Sequence, residues 1–145
     1  MKGKFKAFMF LGVLLFLTGI YMLPLLLASE TDETCSLFKE GSIDGIQYLS
    51  GGIGVDERAQ IEKMARGKYN VKLVFAVTAG NYLGNIPVEV QDKKGNKVLS
   101  VEVEGPWFYV NLPNGAYTIK ANLDGKVKVH RLTVEKKLQT VVFVW

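Results

Sequence analysis

The sequence has very little of the two residue types that most often build chemical sites. Among its 145 residues there is one cysteine, Cys35, and one histidine, His130. A single cysteine excludes a disulfide within the chain and a cluster of thiolate ligands, and we expect it to be an unmodified thiol in an N-terminal tail. One histidine with scattered carboxylates is not a ligand set for a metal ion. We therefore expect no metal and no other cofactor.

His130 is the only candidate for a general base. A base of this kind needs a side chain that orients it and a nucleophile within reach, and no residue at a fixed spacing supplies either. We expect a solvated histidine on a strand and a protein that is not an enzyme. Calcium binding through Asp92 or Asp124 is an alternative, although single acidic residues in turns usually only form the turn.

An excess of charge of one sign is also missing outside the N-terminal segment. The chain has 18 basic and 14 acidic residues, and residues 1–28 hold three of the lysines and no acidic residue. Without that segment, 15 basic residues (18 − 3) face 14 acidic ones. A nearly neutral protein has no general attraction for phosphate backbones, so we expect no nucleic-acid partner.

The N-terminal segment contains the three parts of a secretory signal peptide. Lysines precede a stretch from Ala7 to Ala28 that has no charged residue and ends in small side chains. Pro24 stops a helix shortly before the extended backbone that a peptidase needs, so we predict cleavage after Ala28 and a signal peptide over 1–28. The stretch also approaches the length of about 20 residues that spans a bilayer, so an uncleaved membrane anchor is the alternative.

Residues 29–68 are predicted to form an irregular segment with one short helix. Up to Gly54 the apolar residues follow no sustained period, which leaves room for one short strand near residues 47–50. The helix is predicted over about 56–66, with Asp56 as its cap and Gly67 as its stop. One modestly apolar face would dock on the rest of the protein.

The glycines of "SGGIG", just before this helix, do not make a phosphate-binding loop. A Walker loop needs Gly-Lys-Ser/Thr at its end, and Asp56 and Glu57 place negative charge where an anion would bind. Tight turns explain the glycines. The candidates that this stretch contributes to a functional surface are Ser50, Gly51, Gly52 and Asp56.

After Tyr69 the chain has the pattern of short β-strands separated by turns. Apolar residues alternate through each strand, and Gly, Pro, Asn and Asp cluster between strands, as in the hairpin turn over 92–96. The apolar parity slips between Val129 and Leu132, which predicts a bulge near residues 130–131. Counting seven strands, we predict a mainly β fold, an Ig-like β-sandwich over 69–145 with the short helix packed on it.

The stretch "GPWFYVNLPNGAYTIKANLDGKVKVHRLTV" resembles the repeated signature of carboxypeptidase regulatory-like domains, in the transthyretin-like group of β-sandwiches. In that family a strand with large alternating residues runs into Leu-Pro-x-Gly-x-Tyr-Thr and then to a glycine turn. The resemblance covers roughly residues 70–145, and "YLSGGIGVDER" is similar to a segment that precedes this module in small exported bacterial proteins of undetermined role. Family members include spacers, sugar-binding modules and a few enzymes, so the resemblance implies a fold and little about function. The matching residues are Leu112, Pro113, Gly115, Tyr117, Thr118 and Gly125.

Trp107 and Tyr109 are the aromatic residues whose role is open. The row from Phe108 to Leu112 faces the predicted core, so these two side chains point to the other side of their sheet. On an uncovered sheet they would form a platform for a sugar ring or a partner protein. We expect them to be covered instead, by the short helix or by the segment before it, because the apolar residues there need burial.

The expected function is that of an exported, non-catalytic binding or structural module of the cell envelope, periplasmic or secreted. Its partner would be an unknown envelope protein or glycan, and it would contact the membrane only through an uncleaved N-terminal segment. The alternatives are a carbohydrate-binding protein that uses Trp107 and Tyr109, a small transthyretin-like hydrolase, and an outer-membrane barrel. The hydrolases of the family end in Tyr-Arg-Gly-Ser and use several histidines, which this chain lacks; the barrel would need longer strands. The candidate ligand-binding residues are Trp107, Tyr109, Gly51, Gly52 and Asp56.

Overall fold

The structure, a computed structural model, describes residues 38–145. The predicted signal peptide, its cleavage site after Ala28 and Cys35 lie outside the described residues. The described part contains nine strands and one helix, and no helix in it combines the length and the apolar character that crossing a bilayer requires. These elements are β1 (Lys39–Ile43), β2 (Ile46–Gly51), α1 (Val55–Ala65), β3 (Val71–Ala76), β4 (Ile86–Asp92), β5 (Lys97–Val103), β6 (Trp107–Val110), β7 (Gly115–Leu123), β8 (Lys126–Val134) and β9 (Gln139–Val144).

The strands form two sheets that share one apolar core. The first sheet has the order β1-β2-β6-β3-β9, and the second has the order β5-β4-β7-β8. Strand β9 runs parallel to β3, and the other neighbouring strands are antiparallel. Leu73 and Phe108 of the first sheet and Val90 and Ile119 of the second lie in the same buried cluster. The mainly β prediction is therefore confirmed as two sheets on a common core.

The seven strands predicted after Tyr69 correspond to β3–β9, and the count is nine because β1 and β2 form a hairpin before them. One short strand near residues 47–50 was predicted there and corresponds to β2, whereas β1 was not predicted. Asp44 and Gly45 make its two-residue turn, and both have positive φ, 49° and 81°. This is the conformation that a tight hairpin with an Asp-Gly turn requires. Strand β2 lacks apolar alternation because it is covered on both faces, so that residues 48–51 are buried one after another.

The predicted bulge near His130 and Arg131 is wrong. Strands β7 and β8 pair without interruption from Gly115 opposite Val134 to Leu123 opposite Lys126. The apolar parity slips because Val127 and Val129, each 53% exposed, lie on the solvent face of β8 and not in the core. The register shift that the structure does contain is in the β4–β5 pair, between Val90 and Gln91.

Helix α1 begins one residue earlier than predicted, and Gly54 rather than Asp56 is its N-cap. The chain leaves the helix through Gly67, whose φ of 74° is accessible mainly to glycine. Ile61 and Ala65 are buried against Leu49 of β2 and Tyr109 of β6. The helix therefore covers part of the outer face of the first sheet and creates a second, smaller apolar cluster.

Candidate functional site

The structure brings four of the five predicted ligand-binding residues together on the outer face of β2 and β6. Gly51 pairs with Trp107 across these strands, and Tyr109 pairs with Leu49. A Cβ atom on Gly52 would lie 3.2 Å from Trp107 Cγ, so the backbone at Gly52 packs on the indole ring. Asp56 stands apart, with its side chain exposed in the first turn of α1.

Tyr109 is covered by the helix and is only 1% exposed. Its ring packs in the cluster with Ile61 and Ala65, and its centroid lies 6.1 Å from that of Tyr69. The hydroxyl oxygen is buried and has no hydrogen-bond partner among the described residues. Burial, with a smaller contribution from the charge of Glu62, raises the pKa of Tyr109 to about 12. Neither the ring nor the hydroxyl group is accessible to a ligand.

Trp107 is half-buried, and the side chain of Lys72 lies on its ring. The Nζ atom of Lys72, on the neighbouring strand β3, lies 3.3 Å from the centroid of the Trp107 ring and 5.2 Å from that of Tyr109. Such contacts are stabilised by the negative face of the aromatic ring. Burial lowers the pKa of Lys72, and the charge of Glu62 opposes this effect. The ring face that a sugar would need is therefore occupied by an ammonium group of the same chain.

Lys72 was not singled out from the sequence, although a signal for it exists. In β3 the buried residues Val71, Leu73 and Phe75 alternate with less buried ones, so Lys72 must lie on the outer face. That face is the one that carries Trp107 and Tyr109. The contact itself could not be predicted, because it depends on β3 and β6 being neighbours in the sheet.

The loop of residues 52–54 binds an anion, and that anion is the carboxylate of Glu57. Its oxygens accept hydrogen bonds from the backbone N–H groups of Gly52 at 2.8 Å, and of Ile53 and Gly54 at 3.1 Å each. Successive N–H groups before a helix form a concave site that suits an anion. The negative charge of Asp56 and Glu57 was expected to exclude a phosphate here, but it was not predicted that Glu57 itself fills the site. The glycines serve this local structure, since Gly52 has a φ of 87°.

Arg58 connects the same loop to the one between β3 and β4. Its Nη1 atom donates to the backbone carbonyl oxygens of Gly52 at 3.2 Å and of Ile53 at 3.0 Å. The guanidinium carbon lies 5.0 Å from the centroid of the Tyr82 ring. Arg58 therefore stacks on Tyr82 while it holds the loop, and it fixes the two segments relative to each other.

Three large apolar side chains are exposed around Arg58. Ile53 is 72% exposed, Val55 is 74% exposed and Tyr82 is 48% exposed. Ile53 and Tyr82 also line a groove of about 440 Å³, together with Leu83, Glu104 and Pro106. We call Ile53, Val55, Arg58 and Tyr82 the loop-end surface. No sequence signal pointed to it, because isolated apolar residues in loops have no period that distinguishes them from core residues.

The remaining chemical candidates lie apart from this surface. His130 is exposed on β8, where its ring lies nearly perpendicular to that of Phe143, with the centroids 6.4 Å apart. Asp92 accepts hydrogen bonds from the N–H groups of Lys94 and Asn96, as a turn-forming residue does. The hydrogen bond from the Asn96 side chain is the largest cause that lowers the pKa of Asp92. Within residues 38–145, no group of three or more His, Cys, Asp or Glu side chains could hold a metal ion.

No family model matches the chain, and no curated protein matches it. Function is therefore inferred from the described residues.

Proposed function

We propose that this protein is an exported, non-catalytic binding or structural module of the cell envelope, built on a β-sandwich of the carboxypeptidase regulatory-like, transthyretin-like type. Two sheets on a common core support this fold. The residues of the Leu-Pro-x-Gly-x-Tyr motif also have a clear structural role. Leu112 is buried in the core, and the hydroxyl group of Tyr117 donates to the carbonyl oxygen of Pro113 at 3.0 Å. That hydrogen bond ties the start of β7 to the preceding turn.

The loop-end surface is the binding surface in this proposal. The observation that carries it is the exposure of Ile53, Val55 and Tyr82 next to a groove of about 440 Å³. Clustered exposed apolar side chains commonly mark a contact surface, whereas single ones are ordinary. Trp107 and Tyr109 are assigned to stability instead, because α1 and Lys72 cover them.

The binding role is tested by crosslinking in the envelope of cells that produce the full chain. A photoreactive amino acid replaces Tyr82 in one variant and Lys94 in another; Lys94 is an exposed residue of the turn between β4 and β5. We expect an adduct with an envelope component from position 82 and none from position 94. Adducts from both positions, or from neither, would contradict the proposal. Fractionation of the same cells, with N-terminal sequencing, tests export and the cleavage after Ala28.

A further inference from the structure

We propose that the partner of the loop-end surface is the lipid bilayer, into whose surface Ile53 and Val55 insert. This inference rests on the binding role proposed above and names its partner. It adds a second membrane contact to the one that the N-terminal segment would make if it were not cleaved. The physical support comes from the backbone of the loop, from the side chains around it and from the point where the chain enters the fold.

The backbone polar groups of residues 52–54 have hydrogen-bond partners within the protein and do not depend on water. Glu57 accepts hydrogen bonds from the N–H groups of all three residues. The Arg58 side chain donates to the carbonyl oxygens of Gly52 and Ile53, and the Arg58 N–H group donates to that of Gly54 at 3.0 Å. A polar backbone group that enters hydrocarbon without a partner costs several kcal/mol. Because the N–H and carbonyl groups of residues 52–54 already have partners, insertion of the loop does not incur this cost.

The side chains of the loop-end surface match the layers of a bilayer surface. Ile53 and Val55 are aliphatic, lie on either side of Gly54, and are about three-quarters exposed, 72% and 74%. Tyr82 and Arg58 stack beside them. Tyrosine rings and the long stems of arginine are favoured at the headgroup level, because one part of the side chain is apolar and the other is polar. The aliphatic side chains of Ile53 and Val55, next to Tyr82 and Arg58, therefore suit a shallow contact with a membrane surface.

The charges nearby do not favour an anionic surface in particular. Lys39 pairs with Glu104 at the groove, and Asp56 lies in the same first turn of α1 as Val55. With Arg58, and with Glu57 bound in the loop, two basic residues face three acidic ones. Attraction to anionic lipid headgroups grows with the number of unpaired basic residues, so it contributes little here. We therefore expect the contact to form on uncharged phosphatidylcholine.

The chain enters the described fold at the same end as this surface. Lys39, the first residue of β1, pairs with Ser50, and its Nζ atom contacts Glu104, which lines the groove with Ile53 and Tyr82. The opposite end carries the turn with the exposed residues Lys93 and Lys94, which favour water.

Depth-sensitive labels on the full chain test the assignment. In a Cys35→Ser background, Asn81→Cys places a fluorescent label beside the groove, and Lys94→Cys places one in the turn between β4 and β5. The proteins are reconstituted in phosphatidylcholine vesicles with and without spin-labelled lipid. We expect a blue shift and quenching of the label at position 81 and water-like emission at position 94. Water-like emission at position 81, or equal quenching at both positions, would overturn the assignment.

A pair of double variants separates insertion of the tip from general proximity to lipid. Ile53→Ser with Val55→Ser removes the aliphatic tip, and Val127→Ser with Val129→Ser removes two valines, each 53% exposed, from the outer face of β8. All four side chains are exposed, so the fold is expected to persist, and circular dichroism checks this. The first variant should lose the blue shift at position 81, and the second should keep it. Retention of the shift in the first variant would count against the inference.

The two proposals fail in different ways. If crosslinking from position 82 gives protein or glycan adducts while the label at position 81 stays water-like in vesicles, the lipid assignment is wrong and the binding role stands. If position 82 gives no adduct and the label does not shift, both proposals are wrong. Lipid adducts together with the blue shift would support both.

Discussion

Tyr109 contributes to stability in two opposite ways. Its ring fills the space between β6 and α1, where it contacts Leu49, Ile61 and Ala65. Its hydroxyl group is buried there without a hydrogen-bond partner among the described residues. Burying a large aromatic ring stabilises the fold, whereas a buried hydroxyl group without a partner costs roughly 1–3 kcal/mol.

Replacement of this residue separates the two contributions. We expect Tyr109→Phe to leave the free energy of unfolding unchanged or to raise it by about 1 kcal/mol, because the unpaired hydroxyl group disappears. Tyr109→Ala should lower it by roughly 3–5 kcal/mol, because the ring is also lost and a cavity forms. Urea denaturation of both variants measures these changes. A loss of more than about 1 kcal/mol in Tyr109→Phe would show that the hydroxyl group makes a stabilising hydrogen bond.

The pKa of Tyr109 makes stability depend on pH in the alkaline range. In the folded protein the pKa is raised from 10.0 to about 12, so the fold favours the protonated phenol. The resulting stabilisation is fully present below pH 10 and is lost as the pH rises toward 12, by roughly 3 kcal/mol at most. Tyr109→Phe should lose less stability over this interval than the natural protein. Identical losses, measured by denaturation below pH 10 and near pH 12, would contradict this.

For single residues, the sequence predicted which face of the sheet a side chain occupies, but not which groups it contacts. The alternation through β6 placed Phe108 and Val110 in the core and Trp107 and Tyr109 on the other face, and the two buried clusters confirm this. The occupant of the Trp107 ring was not predictable. It depends on β3 lying next to β6, and local patterns carry no information about which strands become neighbours.

At the level of elements, the loop before α1 and the first turn of the helix form one hydrogen-bonded unit around Glu57. The side chain is buried, and its carboxylate is the acceptor for three backbone N–H groups. Asp56, its neighbour in the same turn, is exposed and is an acceptor in none of these bonds. The two residues thus have the same charge but very different surroundings.

We expect Glu57→Ala to lower the free energy of unfolding by roughly 2–3 kcal/mol, because hydrogen bonds to a charged acceptor are lost and three N–H groups lose their partner. Asp56→Ala is the matched control and should cost about 0.3–1 kcal/mol, which is the favourable interaction of an acidic side chain with the start of a helix. Urea denaturation of the two variants, under the same conditions, checks the difference. Equal losses would show that Glu57 acts only through its charge.

The helix was predictable as an element because its limits are set by local chemistry, with an acidic first turn and a glycine after its end. A short strand near residues 47–50 was predicted and corresponds to β2, but β1 and the β1–β2 hairpin were not predicted, for a reason of packing. Residues 48–51 are buried on both faces, since α1 covers the side that would otherwise be wet. Alternation reports a strand only when one of its faces meets water, so a doubly covered strand does not show it.

At the scale of the whole molecule, the two sheets are held together along one side by β8 and β9. These are edge strands of different sheets, and side chains bridge them. The Nε1 atom of Trp145 donates to the carbonyl oxygen of Lys126 at 2.9 Å, and Gln139 Nε2 donates to that of Thr133 at 2.8 Å. The Trp145 ring stacks on Phe143, with the centroids 6.1 Å apart, and lies near Phe75. Trp145 therefore closes the core and links the sheets.

The ring and the hydrogen bond of Trp145 are distinguishable by substitution. Trp145→Ala should lower the free energy of unfolding by roughly 2–3 kcal/mol, somewhat less than for a fully buried tryptophan. Trp145→Phe keeps a ring on Phe143 and should lose about 1 kcal/mol or less, the value of one hydrogen bond. Val144→Ala, at a neighbour that is 40% exposed, is the control and should change stability least. If Trp145→Ala and Val144→Ala have the same midpoint in urea, the ring does not join the two sheets; if Trp145→Phe is as damaging as Trp145→Ala, the hydrogen bond to Lys126 is the dominant link.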